Sequence, residues 1–465
     1  MDKDIDISSV ENLRIQSYSE HPEVKHAADV LVAEYYKDNS RKKDKKTYTR
    51  SARKLVASLW LHPDTLFRFT TNKNYYGPAQ RKQVWMTPKT QKLFNTARTI
   101  GWIELKFKGL ASHLSRSGSG YNSVYTKTED FYQLLTNLKE EDIGPDEDAP
   151  RVILRCLEGI LKKLPDAYVS SSVYQDAVDT LENHYDIIKK TSITLPADNK
   201  QVPLSDLYYV RRFKGDTTRG GRIYAPFSTY PKSKRLALKM NGVSVASLDI
   251  SQLHPQLILR FLHKRDNEDQ GMLAKAMGLE DVYSMPDYPD IPRGVHKKLI
   301  NTLFNSKTKE KGAAALRNTY YWYSDAHTLV VKTYSGRTKR KGNAVFEQKQ
   351  EPGKAALDYI ESFKTHHPLM APALYSDIGT LLQRVDGRLM ISIMRMHTQV
   401  EIPVLTVHDE LIVPKTQATM DFAEIALRDA FKQVCEEEGS FGSIYAKWSF
   451  GDGTKEKQVE IRLGD

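Results

Sequence analysis

The segment SVASLDISQLHPQLILRFLHK, residues 244–264, indicates how the C-terminal half of the chain folds. An apolar strand ends at Asp249, and apolar residues at helical spacing follow it, with Ser251 as the expected N-cap of that helix. Asp249 therefore stands where a buried strand passes into a helix. A carboxylate in such a place needs a metal ion or a basic group as its partner, because burial of an unpaired charge is unfavourable.

A second segment, PVLTVHDELIVP at residues 403–414, predicts a tight hairpin. Two apolar runs flank His408, Asp409 and Glu410, which fall at the turn. Two carboxylates from separate strands, Asp249 and Asp409, are the ligands that a pair of Mg²⁺ ions needs, with water or substrate phosphate in the other positions. The alternative is an ordinary polar turn, in which Asp is common.

Residues 290–312, DIPRGVHKKLINTLFNSKTKEKG, predict a helix with one charged face. Arg293, Lys297 and Asn301 recur every four residues and form a stripe opposite an apolar face. Such a stripe can grip a triphosphate, and a solvated basic face is the alternative.

An arginine-rich segment, KGDTTRGGRIYAPFSTYPKSKR, occupies residues 214–235. Its two adjacent glycines permit close approach of the backbone, whereas Arg219 and Arg222 can contact phosphates and Tyr224 can stack or pack. The spacing of a Walker A loop is absent.

The N-terminal third predicts a DNA-binding region. Residues 41–54, RKKDKKTYTRSARK, hold eight Lys or Arg against one Asp, a local net charge of +7, which favours either a phosphate-binding arm or a solvated linker. Residues 54–138 then predict a winged-helix-like domain: a helix over 87–100, a strand, a Ser/Gly-rich tip and a returning strand. A small α+β domain that binds no DNA is the alternative. The side chains expected to reach DNA are Lys89, Gln91, Lys92, Asn95, Arg98 and, on the tip, Arg116.

Composition agrees with a polyanionic partner. The 465 residues carry 69 Lys+Arg and 58 Asp+Glu, a net charge of +11. Two distant cysteines exclude a disulfide framework and a structural zinc site, which predicts a reducing, cytoplasmic location. We expect no signal peptide and no membrane span, because the N-terminus lacks an apolar stretch and no run approaches 18 apolar residues.

Taken in order, these segments resemble the motifs of family A DNA polymerases and of the related phage and mitochondrial single-subunit RNA polymerases. The resemblance covers about residues 205–465, and no segment resembles the family's 3′–5′ exonuclease. The matching segments are RGGRIYA (219–225), DISQ (249–252), Arg293-x-x-x-Lys297 followed by INTLFNSK (300–307), LLQRVDGRLMISIMRMH (381–397) and VHDE (407–410).

The resemblance implies an α+β fold, a right-hand polymerase palm with helical fingers inserted at about 262–345. It also implies nucleotidyl transfer with two Mg²⁺ ions, which Mn²⁺ can replace. Asp249 and Asp409 would bind the metal, Glu410 would assist through water, and Lys297 would protonate the leaving pyrophosphate. The expected nucleotide-binding residues are Arg293, Lys297, Asn301, His254 and Asn305. The expected contacts to template or primer are Arg219, Arg222, Tyr224, Gln383 and His408.

Two residues depart from the family's pattern. DNA-synthesising members carry Glu at the position of His254 and RNA-synthesising members a small residue, whereas Asn305 replaces a Tyr found in both branches. We expect His254 to exclude a ribose 2′-hydroxyl sterically and so to favour deoxynucleotides. A hydrogen bond from His254 to that hydroxyl would reverse the preference.

The sequence thus predicts four regions: a basic arm (1–53), a winged-helix-like domain (54–138), an acidic linker with a helical, thumb-like segment (139–204), and the polymerase palm (205–465). The function it favours is a monomeric family A-like DNA polymerase without exonuclease, acting on a DNA template, a primer or product strand and nucleoside triphosphates. A single-subunit RNA polymerase or primase is the first alternative. A non-catalytic replication initiator or transcription regulator that binds DNA is the second.

Overall fold

The computed structural model describes most of the chain. The described residues are 10, 13, 15, 17–37, 45–62, 66–70, 88–109, 122–139, 142–145, 151–155, 161–162, 164–197, 200–203, 207, 209–262, 281–289, 291–323, 329–333, 343–344, 352–436, 443–452 and 454–462. The chain is a mixed α/β protein that divides into two compact units, residues 1–210 with 224–242, and residues 211–223 with 243–465. Within the described residues, no helix is long and apolar enough to cross a membrane.

Helices and strands alternate in both units. The helices are α1 (Pro22–Lys37), α2 (Lys45–Leu61), α3 (Pro88–Thr99), α4 (Glu129–Gln133), α5 (Asp166–Val169), α6 (Ser172–Lys190), α7 (Lys232–Leu236), α8 (Leu253–Leu262), α9 (Arg293–Phe304), α10 (Lys309–Asn318), α11 (Pro352–His366), α12 (Gly379–Gln399) and α13 (Gln417–Glu436). The strands are β1 (Ser17–Tyr18), β2 (Leu66–Phe69), β3 (Ile103–Phe107), β4 (Ser123–Lys127), β5 (Gly144–Pro145), β6 (Val152–Arg155), β7 (Leu161–Lys162), β8 (Ile193–Ala197), β9 (Lys200–Pro203), β10 (Val210–Lys214), β11 (Asp216–Tyr224), β12 (Lys239–Met240), β13 (Val243–Ile250), β14 (Thr319–Tyr323), β15 (Leu329–Thr333), β16 (Asn343–Ala344), β17 (Leu405–Val407), β18 (Glu410–Pro414), β19 (Ser443–Phe450) and β20 (Lys457–Arg462).

In the first unit, α1, α2 and α3 pack together beside a small antiparallel sheet of order β2-β4-β3. Phe69 of β2 stacks on Phe94 of α3, with ring centroids 3.8 Å apart, and Tyr125 of β4 meets Phe94 edge-on at 5.0 Å. These aromatic side chains are fully buried, so α3 and the sheet share one core.

In the second unit, an antiparallel sheet of order β17-β18-β13-β19-β20 forms the floor. Its central strand β13 pairs with β18 on one side and with β19 on the other, and Leu248, Ile412 and Trp448 are fully buried in it. Helix α13 contacts β18, and its Glu424 carboxylate accepts a hydrogen bond of 2.7 Å from the Trp448 indole. Because α13 also packs on α12, and α12 on α8, the sheet is covered by a layer of helices.

Most of the elements predicted from sequence motifs are confirmed. They are the helix over 87–100, the strands on both sides of the Ser/Gly-rich tip, the strand ending near Asp249, the hairpin at 403–414, and the helices carrying Arg293 and residues 381–397. The tip itself, residues 115–121, lies outside the described residues.

Two local predictions were wrong. Helix α8 begins at Leu253 rather than after Ser251, because the backbone N–H of Ser251 donates to Tyr445 O and Gln252 has a left-handed φ of 51°. The segment after 151, interpreted as helical, opens with strand β6, in which Val152, Ile153 and Leu154 are all buried. Three consecutive buried apolar residues suit a strand covered on both faces, a pattern that periodicity alone does not separate from a helix.

Candidate functional site

The two aspartates singled out by their strand ends lie side by side in the second unit. Asp249 on β13 is opposite Glu410 on β18, and the backbone N–H of Ile250 donates to Asp409 O at 3.0 Å. Asp409 occupies the turn between β17 and β18, next to His408, whose φ of 59° is left-handed. Asp249 and Asp409 are both half-buried, so neighbouring strands bring two carboxylates to one edge of the sheet where solvent and ligands can reach them.

Glu410 differs from this pair. Its side chain is buried, and its carboxylate accepts a hydrogen bond of 2.5 Å from Ser247 Oγ on the same face of the sheet. This hydrogen bond joins β18 to β13 next to Asp249, which lies opposite Glu410. Its predicted assistance through water remains a prediction.

The donor set at this edge suits Mg²⁺. Among the described residues, no group of three or more His, Cys, Asp and Glu side chains forms a closed metal site. A protein-only site is not what Mg²⁺ requires, since one or two carboxylates with waters and substrate phosphates are its usual ligands. Asp249 and Asp409, adjacent and half-exposed, fit that requirement.

Helix α9 carries the predicted cationic stripe with its apolar face inward. Val295, Leu299 and Leu303 are fully buried, whereas Arg293 and Lys297 are exposed. Arg293 is not unpaired: its guanidinium makes a two-point ion pair with Asp281, whose second contact, Nη2 to Oδ1, is 2.9 Å. The pairing raises the pKa of Arg293 further, so this group stays charged.

A tyrosine that sequence reasoning missed links the stripe to the aspartates. Tyr283 is almost fully buried, with Arg293 at 5.3 Å and Lys297 at 5.7 Å from its ring centroid. Its hydroxyl is hydrogen-bonded to Asn301, and burial together with the nearby charge of Asp409 raises its pKa. Tyr283 therefore remains protonated and ties Arg293, Lys297 and Asn301 to the edge of the sheet that holds Asp409.

The arginines of β11 also have acidic partners. Arg219 donates to Asp377 at 2.5 Å, and Lys307 lies 3.8 Å from the same carboxylate. Arg222 donates through Nε to Asp386 at 2.6 Å, and Asp386 on α12 is completely buried. The prediction that both arginines contact nucleic acid is not tested by these pairings, but the pairings orient both side chains against protein carboxylates.

A close backbone approach makes the Arg222–Asp386 pair possible. A Cβ at Gly387 on α12 would overlap the carbonyl oxygen of Gly221 on β11, and Gly221 itself has a φ of 80° against the Phe213 ring. Glycine at 387 thus lets strand and helix touch, and glycine at 221 supplies the left-handed backbone.

Replacing Gly387 by alanine is expected to destabilise the second unit by about 1–3 kcal/mol, because the new methyl group must displace β11. Urea titration would measure this change. Gly294→Ala is the matched control: a Cβ there meets nothing within 4 Å, and alanine in an exposed helical position should be stabilising. Equal effects of the two substitutions would contradict the close-approach argument.

The remaining predicted residues of the second unit are spread along α8, α9 and α12. His254 near the start of α8 contacts Arg222, Nε2 to Nη2, at 3.1 Å. Asn305 caps the C-terminus of α9 and packs against Gly379 at the start of α12, so it fills the junction of the two helices. Gln383 is half-buried on α12.

In the first unit, the basic residues of α3 face aromatic rings. Lys89 Nζ lies 5.3 Å from the Tyr48 ring centroid, Lys92 Nζ 6.0 Å from that of Tyr35, and Arg98 5.3 Å from that of Tyr125. Lys92 and Asn95 are exposed, whereas Lys89, Arg98 and Tyr224 are half-buried. The expectation that Gln91 lies on the exposed face was wrong, because its side chain is buried. Arg116 lies outside the described residues.

No protein-family model and no curated protein matches the chain. Among solved structures, the chain is similar to the POL domain of Pol1 from M. smegmatis in complex with DNA primer-template and dNTP, at 15% identity and a TM-score of 0.26. The match covers 56% of this chain and 49% of that one, so the chain spans about half the length of that domain.

Proposed function

We propose that the second unit is a template-directed nucleotidyltransferase. The observation that carries the proposal is the backbone adjacency of Asp249 and Asp409 at one end of neighbouring strands, with Tyr283 close both to Asp409 and to the cations of α9. Two half-buried carboxylates and two nearby cations suit a polyphosphate with its metal ions.

In this reaction the 3′-oxygen of a primer or product strand bonds to the α-phosphorus of a nucleoside triphosphate. The bond from that phosphorus to the oxygen bridging it to the β-phosphate breaks, and pyrophosphate leaves. Asp249 and Asp409 would hold Mg²⁺, which when bound stabilises charge on the attacking and leaving oxygens. Arg293 and Lys297 would contact the β- and γ-phosphates, and Lys297 would donate a proton to the departing pyrophosphate. Asp281 would release Arg293 when the triphosphate arrives.

The non-catalytic alternative, an initiator or regulator that binds DNA, has less support. A protein that only binds DNA gains nothing from two adjacent carboxylates, which repel phosphates unless a metal ion intervenes.

Primer extension with labelled deoxynucleoside and ribonucleoside triphosphates, on DNA and RNA templates with Mg²⁺, tests the proposal directly. We expect incorporation complementary to the template that stops when the metal is chelated. Absence of incorporation with every template and both sugars would overturn it.

For the product we propose DNA, made by a DNA polymerase without exonuclease, and a single-subunit RNA polymerase or primase is the alternative.

For the first unit we propose DNA binding. The exposed face of α3, the order of its helices and strands and the basic segment 41–54 support a winged-helix-like domain that anchors the template.

Replacing Lys45 and Lys46 by glutamine is expected to weaken DNA binding and to lower the salt slope by up to about 1.8, since each phosphate contact contributes about 0.9. Both lysines are exposed at the start of α2. Binding isotherms at several salt concentrations measure the slope, and Lys189→Gln with Lys190→Gln, exposed at the end of α6, is the charge-matched control. A slope that changes equally in both variants would contradict a phosphate-binding role for the basic segment.

A further inference from the structure

Residues 281–288, which we call the connecting loop, precede α9 and carry two side chains of the candidate site. Asp281 makes the ion pair with Arg293, and the ring centroid of Tyr283 lies 5.7 Å from Lys297 Nζ. The connecting loop therefore sets the surroundings of both cations of α9.

Exposed contacts join the far end of the connecting loop to α11 and to the residue after that helix. Asp287 accepts a hydrogen bond of 2.6 Å from Ser362 Oγ, and His366 Nε2 lies 3.0 Å from the same carboxylate. His367 Nε2 donates to Ser284 O at 3.1 Å, because a carbonyl oxygen can only accept. Water competes with contacts in exposed positions, so these contacts alone hold the loop weakly.

A buried contact of the connecting loop comes from His296 on α9. The His296 side chain is almost fully buried, with Nε2 3.3 Å from Tyr288 O and Nδ1 2.7 Å from the hydroxyl of Tyr359 on α11. Since the carbonyl can only accept, Nε2 carries the proton and Nδ1 accepts from Tyr359. A neutral imidazole thus joins α9, the connecting loop and α11.

Burial keeps this imidazole neutral. It lowers the pKa of His296, although the carbonyls of Tyr288 and Ile291 and the charge of Asp281 act in the opposite direction. Among the described residues, the titratable groups that face the ring are Tyr359 from α11 and Tyr288 and Asp281 from the connecting loop. A second proton, on Nδ1, would bury a cation and remove the acceptor of the Tyr359 hydroxyl.

The connecting loop gives His296 a route to its neighbour on α9. Lys297 follows His296 in the chain but lies on the exposed side of the helix. His296 holds the end of the loop at Tyr288, whereas Tyr283, near its start, packs beside Lys297 and is hydrogen-bonded to Asn301. Displacement of the loop would therefore change the surroundings of Lys297 without any contact between His296 and a ligand.

We propose that His296 is a positioning residue for nucleotidyl transfer, which holds the connecting loop against α11 and thereby keeps Tyr283 beside Lys297. The inference rests on the proposed function, in which Lys297 donates a proton to pyrophosphate. Release of the loop would also take Asp281 away from Arg293. Loss of Tyr283 weakens triphosphate binding and loss of Asp281 frees Arg293 for it, so the two effects on KM oppose each other and the main loss falls on kcat.

The first test is steady-state primer extension with full-length variants. His296→Leu, which fills the space without hydrogen bonds, should lower kcat about tenfold and change KM less than kcat, because a displaced general acid loses part of its contribution. Tyr283→Leu should lower kcat similarly. The double variant should be no slower than the slower single variant, since both substitutions act on Lys297 through one loop, whereas independent structural effects would multiply.

The second test is the pH profile of His296→Gln, whose side chain can donate to the carbonyl and accept from the hydroxyl but does not titrate. An exposed histidine has a pKa of about 6.5, and burial lowers that of His296, so the neutral ring holds the loop fully above about pH 6.5 and progressively less below it. The ratio of wild-type kcat to that of His296→Gln should therefore fall as the pH falls below about 6.5. This ratio cancels the titration of the triphosphate and of Lys297. His366→Gln, in the exposed contact, is the control and should differ from wild type by a constant factor.

Hydrogen exchange of the amides in the connecting loop reports its release without catalysis. Exchange should be faster in His296→Leu than in wild type and nearly unchanged in His296→Gln. If His296→Leu does not fold, Tyr359→Phe, which removes only the hydroxyl, takes its place and should shift kcat and exchange in the same direction.

The outcomes separate this inference from the function on which it rests. Wild-type kcat in His296→Leu, losses that multiply in the double variant, or a pH-independent ratio for His296→Gln would overturn the role of His296 and leave nucleotidyl transfer intact. Failure of wild type to incorporate any nucleotide would overturn the proposed function and the role of His296 with it.

Discussion

Asp249→Asn and Asp409→Asn should each reduce Mg²⁺-dependent nucleotide incorporation by about a thousandfold or more. Each substitution removes a negative oxygen from the proposed metal site, and metal ions supply several kcal/mol of transition-state stabilisation at about 1.4 kcal/mol per factor of ten. Single-turnover extension of a labelled primer measures the effect. Template binding should be unchanged, because neither aspartate belongs to the basic surface of the first unit.

The fold should survive both substitutions. Both side chains are half-buried and asparagine has nearly the size of aspartate, so the melting temperature of the metal-free variants should stay close to that of wild type. Asp421→Asn, on the exposed face of α13, is the control for loss of one carboxylate and should keep full activity. Near wild-type incorporation by either active-site variant would exclude Asp249 and Asp409 as metal ligands.

The part of the site that could be predicted is the part that rests on strand ends and helical spacing. A strand that ends in Asp249 and a hairpin that turns at Asp409 indicate carboxylates at a sheet edge, and the pairing of β13 with β18 brings them together. The four-residue spacing of Arg293 and Lys297 likewise predicts one helix face.

The partners of the arginines could not be predicted in the same way. Arg219 and Asp377 are 158 residues apart, and Arg222 and Asp386 are 164 apart, so only the tertiary fold pairs them. Asp386 also lies in a helix, where an acidic residue normally indicates a solvated face, and its burial follows from Gly387 allowing β11 to touch α12. The sequence did not indicate Tyr283 as a site residue, because nothing in its local sequence distinguishes it from a core tyrosine.

The acidic partners change the role expected of the three arginines. The sequence predicts that Arg219, Arg222 and Arg293 contact phosphates. In the structure each of them has a protein carboxylate within hydrogen-bonding distance. The ion pair between Arg222 and the buried Asp386 should persist when a ligand binds, since separating the two residues would leave an uncompensated charge inside the protein. The pair of Arg293 is different, because Arg293 is 56% and Asp281 33% exposed and solvent can replace either partner.

Because Arg293 can leave Asp281 for a phosphate, substitutions of the two residues of this ion pair should have opposite effects on the KM for the nucleoside triphosphate. Arg293→Ala should raise the KM for the nucleoside triphosphate about ten- to a hundredfold, because it removes charge-assisted hydrogen bonds to phosphate worth about 1.5–3 kcal/mol. Asp281→Asn should instead lower KM by a few-fold, since the triphosphate no longer competes with a carboxylate for the same guanidinium.

Lys297→Ala separates binding from proton transfer. It should raise KM as Arg293→Ala does and also lower kcat, since Lys297 is proposed to protonate the leaving pyrophosphate. Lys298→Gln, exposed on the same helix but off the stripe, is the control and should leave both constants unchanged. Steady-state extension over a range of triphosphate concentrations resolves the two constants.

If Asp281→Asn raises KM as Arg293→Ala does, the ion pair orients Arg293 for phosphate instead of competing with it, and Asp281 belongs to the binding machinery.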